Sequence, residues 1–270
     1  MALIEDVRRF WEQNSCGEVY AIGNSELNRL RSHENTRYRL EPFIFEFGKF
    51  YEGRGRDVLE IGVGMGADHL QWASVKPKRL VGMDLTQRAA EFTINRLRLE
   101  GLSSGVVVAN AESMPFPDCS FDIIYSWGVL HHTENTEAAI SELFRILRPG
   151  GTARVMIYHK YSIVGFMLWA RYSLMRCDFR SLNTIYANYL ESPGTHAYSI
   201  KEARALFKRF HVVSMSVELS VGDLLEGAAG QRHKGRLLQF ARALWPRQLI
   251  RLLGRGLGLF LLVEAAKPLS

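Results

Sequence analysis

Val58-Leu59-Glu60-Ile61-Gly62-Val63-Gly64-Met65-Gly66 reads as a short strand running straight into three alternating glycines, with helical spacing resuming after Gly66. Glycine lacks a Cβ, so such a turn bends sharply and lets the backbone approach a ligand closely at the mouth of the first strand of a doubly wound sheet. The stretch predicts a nucleotide-class cofactor site on an α/β fold.

Outward from this turn, apolar runs alternate with helical periods, the pattern of repeated βαβ units. Seven strands are expected, at 57–61, 80–84, 106–109, 121–126, 152–158, 212–219 and 259–265. Between them, one helix runs to about 74, a second starts at its N-cap Thr86 and stops at Gly101, and a third covers about 134–147 before Pro149-Gly150-Gly151. An apolar helical segment follows at 161–175, then an irregular connection over 179–196. Ser199 and Glu202 have the capping-box spacing and open a helix to about 209. The expected fold is a Rossmann-like, seven-stranded, mostly parallel sheet with helices on both faces, plus an N-terminal helical cap and a C-terminal helical insertion. The expected divisions are a cap over 1–52, with 37–50 its most regular helix, a cofactor-binding core over 53–160, a substrate-side insertion over 161–198, and the end of the sheet with a basic amphipathic segment over 199–270.

Of the 270 residues, 47% are hydrophobic and 23% charged, which suits a globular chain and excludes a disordered or fibrous one. The longest stretches without Asp, Glu, Lys or Arg are 101–111 and 123–133, short of the ~18 residues that span a bilayer. Cys16, Cys119 and Cys177 form no CxxC pair and are odd in number, which points to a reducing compartment and no metal. MALIEDVRRF carries charges where a signal peptide is apolar, so a cytoplasmic location is expected.

The formal net charge is +6, and it is unevenly placed: from Gly227 to Val263 there are seven basic residues and no acid. Arg247, Arg251 and Arg255 recur on one helical face while Leu249, Ile250, Leu252 and Leu253 fill the other. Such a helix lies on an anionic membrane surface, covers a greasy substrate, or packs on its own sheet. No nucleic-acid-binding module is recognisable, and the aromatic insertion around Phe166, Leu168, Trp169 and Tyr172 suits a lipophilic or aromatic small molecule.

Gly62, Gly64 and Ala67 also satisfy the dinucleotide pattern G-x-G-x-x-[GA], with Asp84 at the expected spacing, so NAD remains an alternative on the loop alone. Glu60 argues against it, because a carboxylate there suits a cofactor with a cationic amino-acid tail better than an anionic pyrophosphate.

Five blocks in order, VLEIGVGMG (58–66), VGMDLT (81–86), NAESMPFPDCSFDIIYS (110–126), WGVLHHT (127–133) and LFRILRPGGTARV (143–155), resemble the class I S-adenosylmethionine (SAM) dependent methyltransferases, particularly the quinone-biosynthesis branch. The resemblance covers about 100 of the 270 residues. It implies a methyl transferase acting on a small-molecule acceptor, with a SAM-binding non-catalytic subunit as the alternative. By the same resemblance Glu60, Gly62, Gly64 and Gly66 hold the methionine part, Asp84 the ribose, Leu85, Ala111 and Glu112 the adenine, and Ser126 and Trp127 line the methionine end. The family more often has Asp where this chain has Asn110. His131 and His132 are the candidate bases, Tyr158, His159 and Tyr38 the candidate acceptor contacts, and Tyr20 and Arg37 close over the cofactor, Arg37 towards its carboxylate. Oligomeric state is not legible.

Overall fold

β1 (Asp57–Ile61) is buried at every position, so it needs neighbours on both edges and cover on both faces. β2 (Arg79–Asp84) and β4 (Phe121–Trp127) flank it, both parallel, with Glu60 level with Gly82 and Tyr125. In the computed structural model, which describes residues 2–226, 242–254 and 256–269, the sheet order is β3-β2-β1-β4-β5-β7-β6. β3 (Gly105–Val108) and β5 (Leu147–Tyr158) extend the parallel part. β7 (Phe260–Ala266) runs antiparallel between β5 and β6 (His211–Glu218). Strand order reverses between β1 and β4, the switch point where open α/β sheets bind ligands beyond their carboxyl ends.

All seven expected strands are present, within two residues except at the start of β5. That strand begins at Leu147, pairs with Phe121, then shifts register before Thr152 meets Ile123, so the Pro-Gly-Gly turn is absorbed into a kink within it. α4 (Ala67–Ser74) follows the glycine turn. The hydroxyl of Thr86 caps α5 (Gln87–Leu99), and the Asn135 side chain caps α6 (Thr136–Ile146). One face of the sheet packs Leu59, Ile61 and Val155 against Leu143 and Ile146 of α6. The other packs Val58 and Tyr125 against Trp72, Leu97 and Ile44.

The cap holds α1 (Ala2–Gln13), α2 (Glu26–Leu40) and α3 (Phe43–Gly48). The continuous helix expected over 37–50 is therefore broken: Glu41 precedes Pro42 and leaves the helical region at φ −130°, as residues before proline do. In the insertion, α7 (Ile163–Tyr172) is joined by α8 (Leu182–Tyr189), where an irregular connection was expected. Ser181 starts α8 by accepting from the Thr184 N–H. Both pack with Met156, Tyr158 and Phe260 over the strand ends. α9 (Ile200–Leu206) carries the expected capping box.

α10 (Arg247–Leu253) is mounted the other way round from a helix packed through its leucines. Arg247 and Arg251 turn towards Glu226, and Leu249 and Leu252 face outward. Arg232, Lys234, Arg236 and Arg255 lie outside the described residues. Among the described residues no helix is long and apolar enough to cross a membrane, and the three cysteines are free.

Candidate functional site

A cavity of about 480 Å³ opens at the carboxyl ends of β1, β2 and β4, at the switch point. At one end its floor is the glycine turn. Gly62 (φ 82°) packs so tightly that a Cβ there would stand 2.0 Å from Val129 Cγ2, whereas Gly64 (φ 51°) has nothing within 4 Å of that position and forms bare cavity wall. Gly66 lies behind them against Thr93 and does not line the cavity. At the end of β2 the Asp84 carboxylate accepts from the Gly64 N–H at 3.2 Å and from the Thr86 N–H and hydroxyl, each at 2.9 Å. Burial raises its pKa above the usual carboxylate range, and these donors oppose the rise. Leu85, Asn110 and Ala111 continue the wall. Glu112 does not: its carboxylate accepts from the Asn135 N–H at the start of α6.

Above the loop, Glu60 and Asp68 stand on the wall as two buried carboxylates with different partners. Glu60 Oε2 is 2.9 Å from His69 Nδ1, and the other ring nitrogen is 2.7 Å from Ser104 Oγ. Burial, with Asp68 nearby, holds Glu60 well above the usual range, and burial pushes His69 down to about 3. Asp68 takes two hydrogen bonds from Arg37, at 2.9 and 2.6 Å, and one each from Tyr38 and Tyr125. Burial raises Asp68, and those four donors more than reverse it, leaving it below the ordinary range. Arg37 keeps Nη1, 3.7 Å from Glu41, for the cavity side. Tyr20 is on the wall, but Tyr38 is not, its hydroxyl being used on Asp68.

The far end is apolar, walled by Trp127, Met156, Val164, Leu168, Leu190 and Phe260, with one polar cluster in it. His132 Nδ1 lies 2.8 Å from Ser192 Oγ and 3.1 Å from Thr195 Oγ1, and its Nε2 lies 3.4 Å from Glu191 Oε2. Tyr158 donates to the same carboxylate oxygen at 2.6 Å. Glu41 joins this wall, pushed up to about 7 by burial against the pull of Arg37. The neighbouring His131 is fully buried off the cavity, its ring centre 3.8 Å from that of Tyr158 and tilted 35° to it. Neither of its nitrogens is hydrogen-bonded, and burial and His132 keep it neutral. Ser126, buried behind the wall, and His159, whose Nδ1 meets the Gly258 carbonyl at 3.2 Å, also do not line the cavity.

Residues 59–155 match the family described as a methyltransferase domain. The phthiotriol/phenolphthiotriol dimycocerosates methyltransferase of Mycobacterium tuberculosis is 36% identical over 123 residues, 45% of this chain and 42% of that protein. A 24-methylenesterol C-methyltransferase of rice, Oryza sativa, is 32% identical over 130 residues, 46% of this chain and 32% of that protein. The chain thus spans less than half the length of these curated relatives. Geranyl diphosphate C-methyltransferase from Streptomyces coelicolor has the same fold, with a TM-score of 0.66 at 17% identity over 99% of this chain and 98% of that one.

Residues 59–155 carry a methyltransferase domain. The glycine loop fits S-adenosylmethionine on its own geometry: Gly64 leaves open the volume a side chain would fill, and the half-buried Asp84 and the buried Glu60 stand on the cavity wall at the strand ends. Sequence reading missed Asp68 and Glu191. Asp68 had a signal, an acid in the first helical turn straight after the glycines. Glu191 had none, because only the tertiary fold brings it to His132.

Proposed function

We propose that this methyltransferase transfers the methyl group of SAM to a small lipophilic acceptor seated against His132. The observation that carries the reading is continuity: one cavity runs from Gly64 and Asp84 to the apolar chamber. SAM, when bound, supplies an electrophilic methyl group on a sulfonium. Asp84 accepts from the ribose hydroxyls, Leu85 and Ala111 flank the adenine, Glu60 meets the ammonium, and Arg37 Nη1 meets the carboxylate. The apolar wall excludes water and orients the acceptor in line. His132 Nε2 takes the acceptor's proton, and Glu191 stabilises the resulting imidazolium while Ser192 and Thr195 accept from Nδ1. The relatives' names, a sterol, a dimycocerosate and geranyl diphosphate, support an acceptor with a large apolar body. In this reading the core over 53–160 binds the cofactor, and the cap and the insertion select the acceptor.

The test is calorimetric titration with S-adenosylhomocysteine, with NAD in parallel, followed by transfer of labelled methyl from SAM to sterol, prenyl and phenolic acceptors. Binding of S-adenosylhomocysteine alone and label in one acceptor class are expected. Binding of NAD alone would overturn the reading, and cofactor binding without transfer to any class would refute the chemistry.

A further inference from the structure

Glu60 is only 3% exposed, yet it stands on the cavity wall. Its Oε2 is committed to His69 Nδ1 at 2.9 Å, which leaves Oε1 for a ligand. His69 is fully buried behind it and does not line the cavity. The other ring nitrogen, Nε2, reaches the Oγ of half-buried Ser104 at 2.7 Å, immediately before β3. The ring has a place built for it: Gly82 of β2 lies level with Glu60, and a Cβ there would stand 3.0 Å from His69 Cε1 and 3.2 Å from Nε2. Carboxyl, imidazole and hydroxyl thus form a line from the cavity across β1 and β2 to the approach of β3. His131, equally buried, has neither nitrogen hydrogen-bonded, as suits a histidine that only packs.

We infer that His69 is a positioning residue of the cofactor site, fixing Glu60 through one ring nitrogen and changing tautomer as Glu60 gains or loses its proton. The inference rests on the proposed function, in which Glu60 meets the ammonium of the cofactor. The groups that face Glu60 are Asp68 and His69 of α4, Asp84 of β2, Tyr125 of β4 and Arg37 of α2. Burial and the two carboxylates raise Glu60 well above the usual range, Arg37 opposes them, and burial keeps His69 neutral. Before an ammonium arrives, Glu60 is therefore a carboxylic acid donating to Nδ1, and the ring donates from Nε2 to Ser104. An ammonium at Oε1 favours the ionised carboxylate. The Glu60 proton then moves to Nδ1, the Nε2 proton to Ser104 Oγ, and the Ser104 hydroxyl proton to water. One proton leaves the protein, and the ring now donates from Nδ1 to a carboxylate held in one orientation.

The test uses the full chain near neutral pH and S-adenosylhomocysteine, which carries the same ammonium. In ring-nitrogen NMR spectra of histidine-labelled protein, the His69 signals are identified by their loss in His69→Asn. They are expected to pass from the Nε2–H to the Nδ1–H tautomer as ligand is added. Calorimetry in two buffers of different ionisation enthalpy is expected to count about one proton released per ligand bound, and about none in Glu60→Gln. His69→Leu keeps apolar bulk and loses the hydrogen bond, and is expected to bind about tenfold or more weaker. His69→Asn, whose amide stands where Nδ1 does, is expected to stay within about threefold of the wild type. A packing role gives the opposite order, because leucine fills a buried space better than asparagine. The same tautomer with and without ligand, no proton released, or binding by His69→Leu as tight as by His69→Asn would overturn the inference and leave the proposed function standing. Failure of the wild type to bind S-adenosylhomocysteine would overturn both.

Discussion

Asp68→Asn isolates the charge that holds the cap to the core. In the structure two donors meet each carboxylate oxygen: Arg37 Nε and Tyr38 at Oδ1, Arg37 Nη2 and Tyr125 at Oδ2. Asparagine keeps one carbonyl, so whichever way the amide turns, two donors face an NH₂ group and Arg37 keeps only Glu41, 3.7 Å away, as a counter-ion. Removing one partner of a buried pair costs about 3–5 kcal/mol, and the surviving carbonyl places this variant near ~3 kcal/mol. Since native domains are stable by about 5–15 kcal/mol, it still folds. Its thermal midpoint should fall by roughly 6–12 °C.

The dependence on pH has a definite sign. Asp68 lies below its unfolded value of about 3.9 when folded, so its stabilisation is complete above that pH and is lost as pH falls through the lower folded value. Urea unfolding followed by tryptophan fluorescence should show a gap between wild type and variant that widens somewhat as pH falls through about 7, where Glu41 feels the Asp68 charge, persists to about pH 5 and narrows below about pH 4. A gap under about 1 kcal/mol at pH 7, or one that closes between about pH 8 and pH 5, refutes the reasoning.

Asp84→Ala should weaken binding of S-adenosylhomocysteine by about 1.5–3 kcal/mol, roughly 10- to 150-fold by calorimetry, and an unchanged affinity would remove Asp84 from the ribose site. His131 stays neutral when folded, while the unfolded chain protonates it below about pH 6.5, so it withdraws stability at about 1.4 kcal/mol per pH unit as pH falls below that value. His131→Leu should flatten the wild-type decline between about pH 6 and pH 5 by that slope, and parallel urea curves would contradict it. His132→Ala should slow labelled methyl transfer by about 100-fold or more, with Glu191→Gln in the same direction and S-adenosylhomocysteine affinity within about twofold in both; unimpaired turnover would exclude the base.

Much of the sheet was legible because buried parallel strands are short apolar runs between turn residues, and the Thr86 and Ser199 caps are local hydrogen bonds that announce themselves. α8 escaped because SLNTIYANYL has no strong apolar period, although Ser181 and Thr184 had the spacing of a cap. The break before Pro42 was readable and overridden by the apolar pattern around it. Gly62, Gly64 and Asp84 reach the cavity as expected because one strand end fixes each of them. Glu112, Ser126, His159 and Tyr38 lie off it because a side chain's direction at a strand end or on a cap helix depends on what packs beside it. The same limit applies to the adjacent histidines: the sequence gives no basis for separating His131 in the core from His132 on the wall. α10 shows it most plainly, since its amphipathic period was correct and its orientation was decided by one distant carboxylate, Glu226.

The place of β7 in the sheet sets an order of assembly. Residues 260–266 are made last among the strands, yet they join β5 to β6 and leave neither partner paired on that side without them. Thr152 and His211 both wait for Ala266, contacts far apart in sequence and slow to close. During synthesis β1 to β5 and the glycine turn can come together while β6 still has no neighbour. The apolar end of the cavity, which takes Leu259 and Phe260 as wall, is complete only when the final strand slides in. If the proposed function holds, the wall around Gly64 and Asp84 can form on the ribosome while the place for a second molecule is still open.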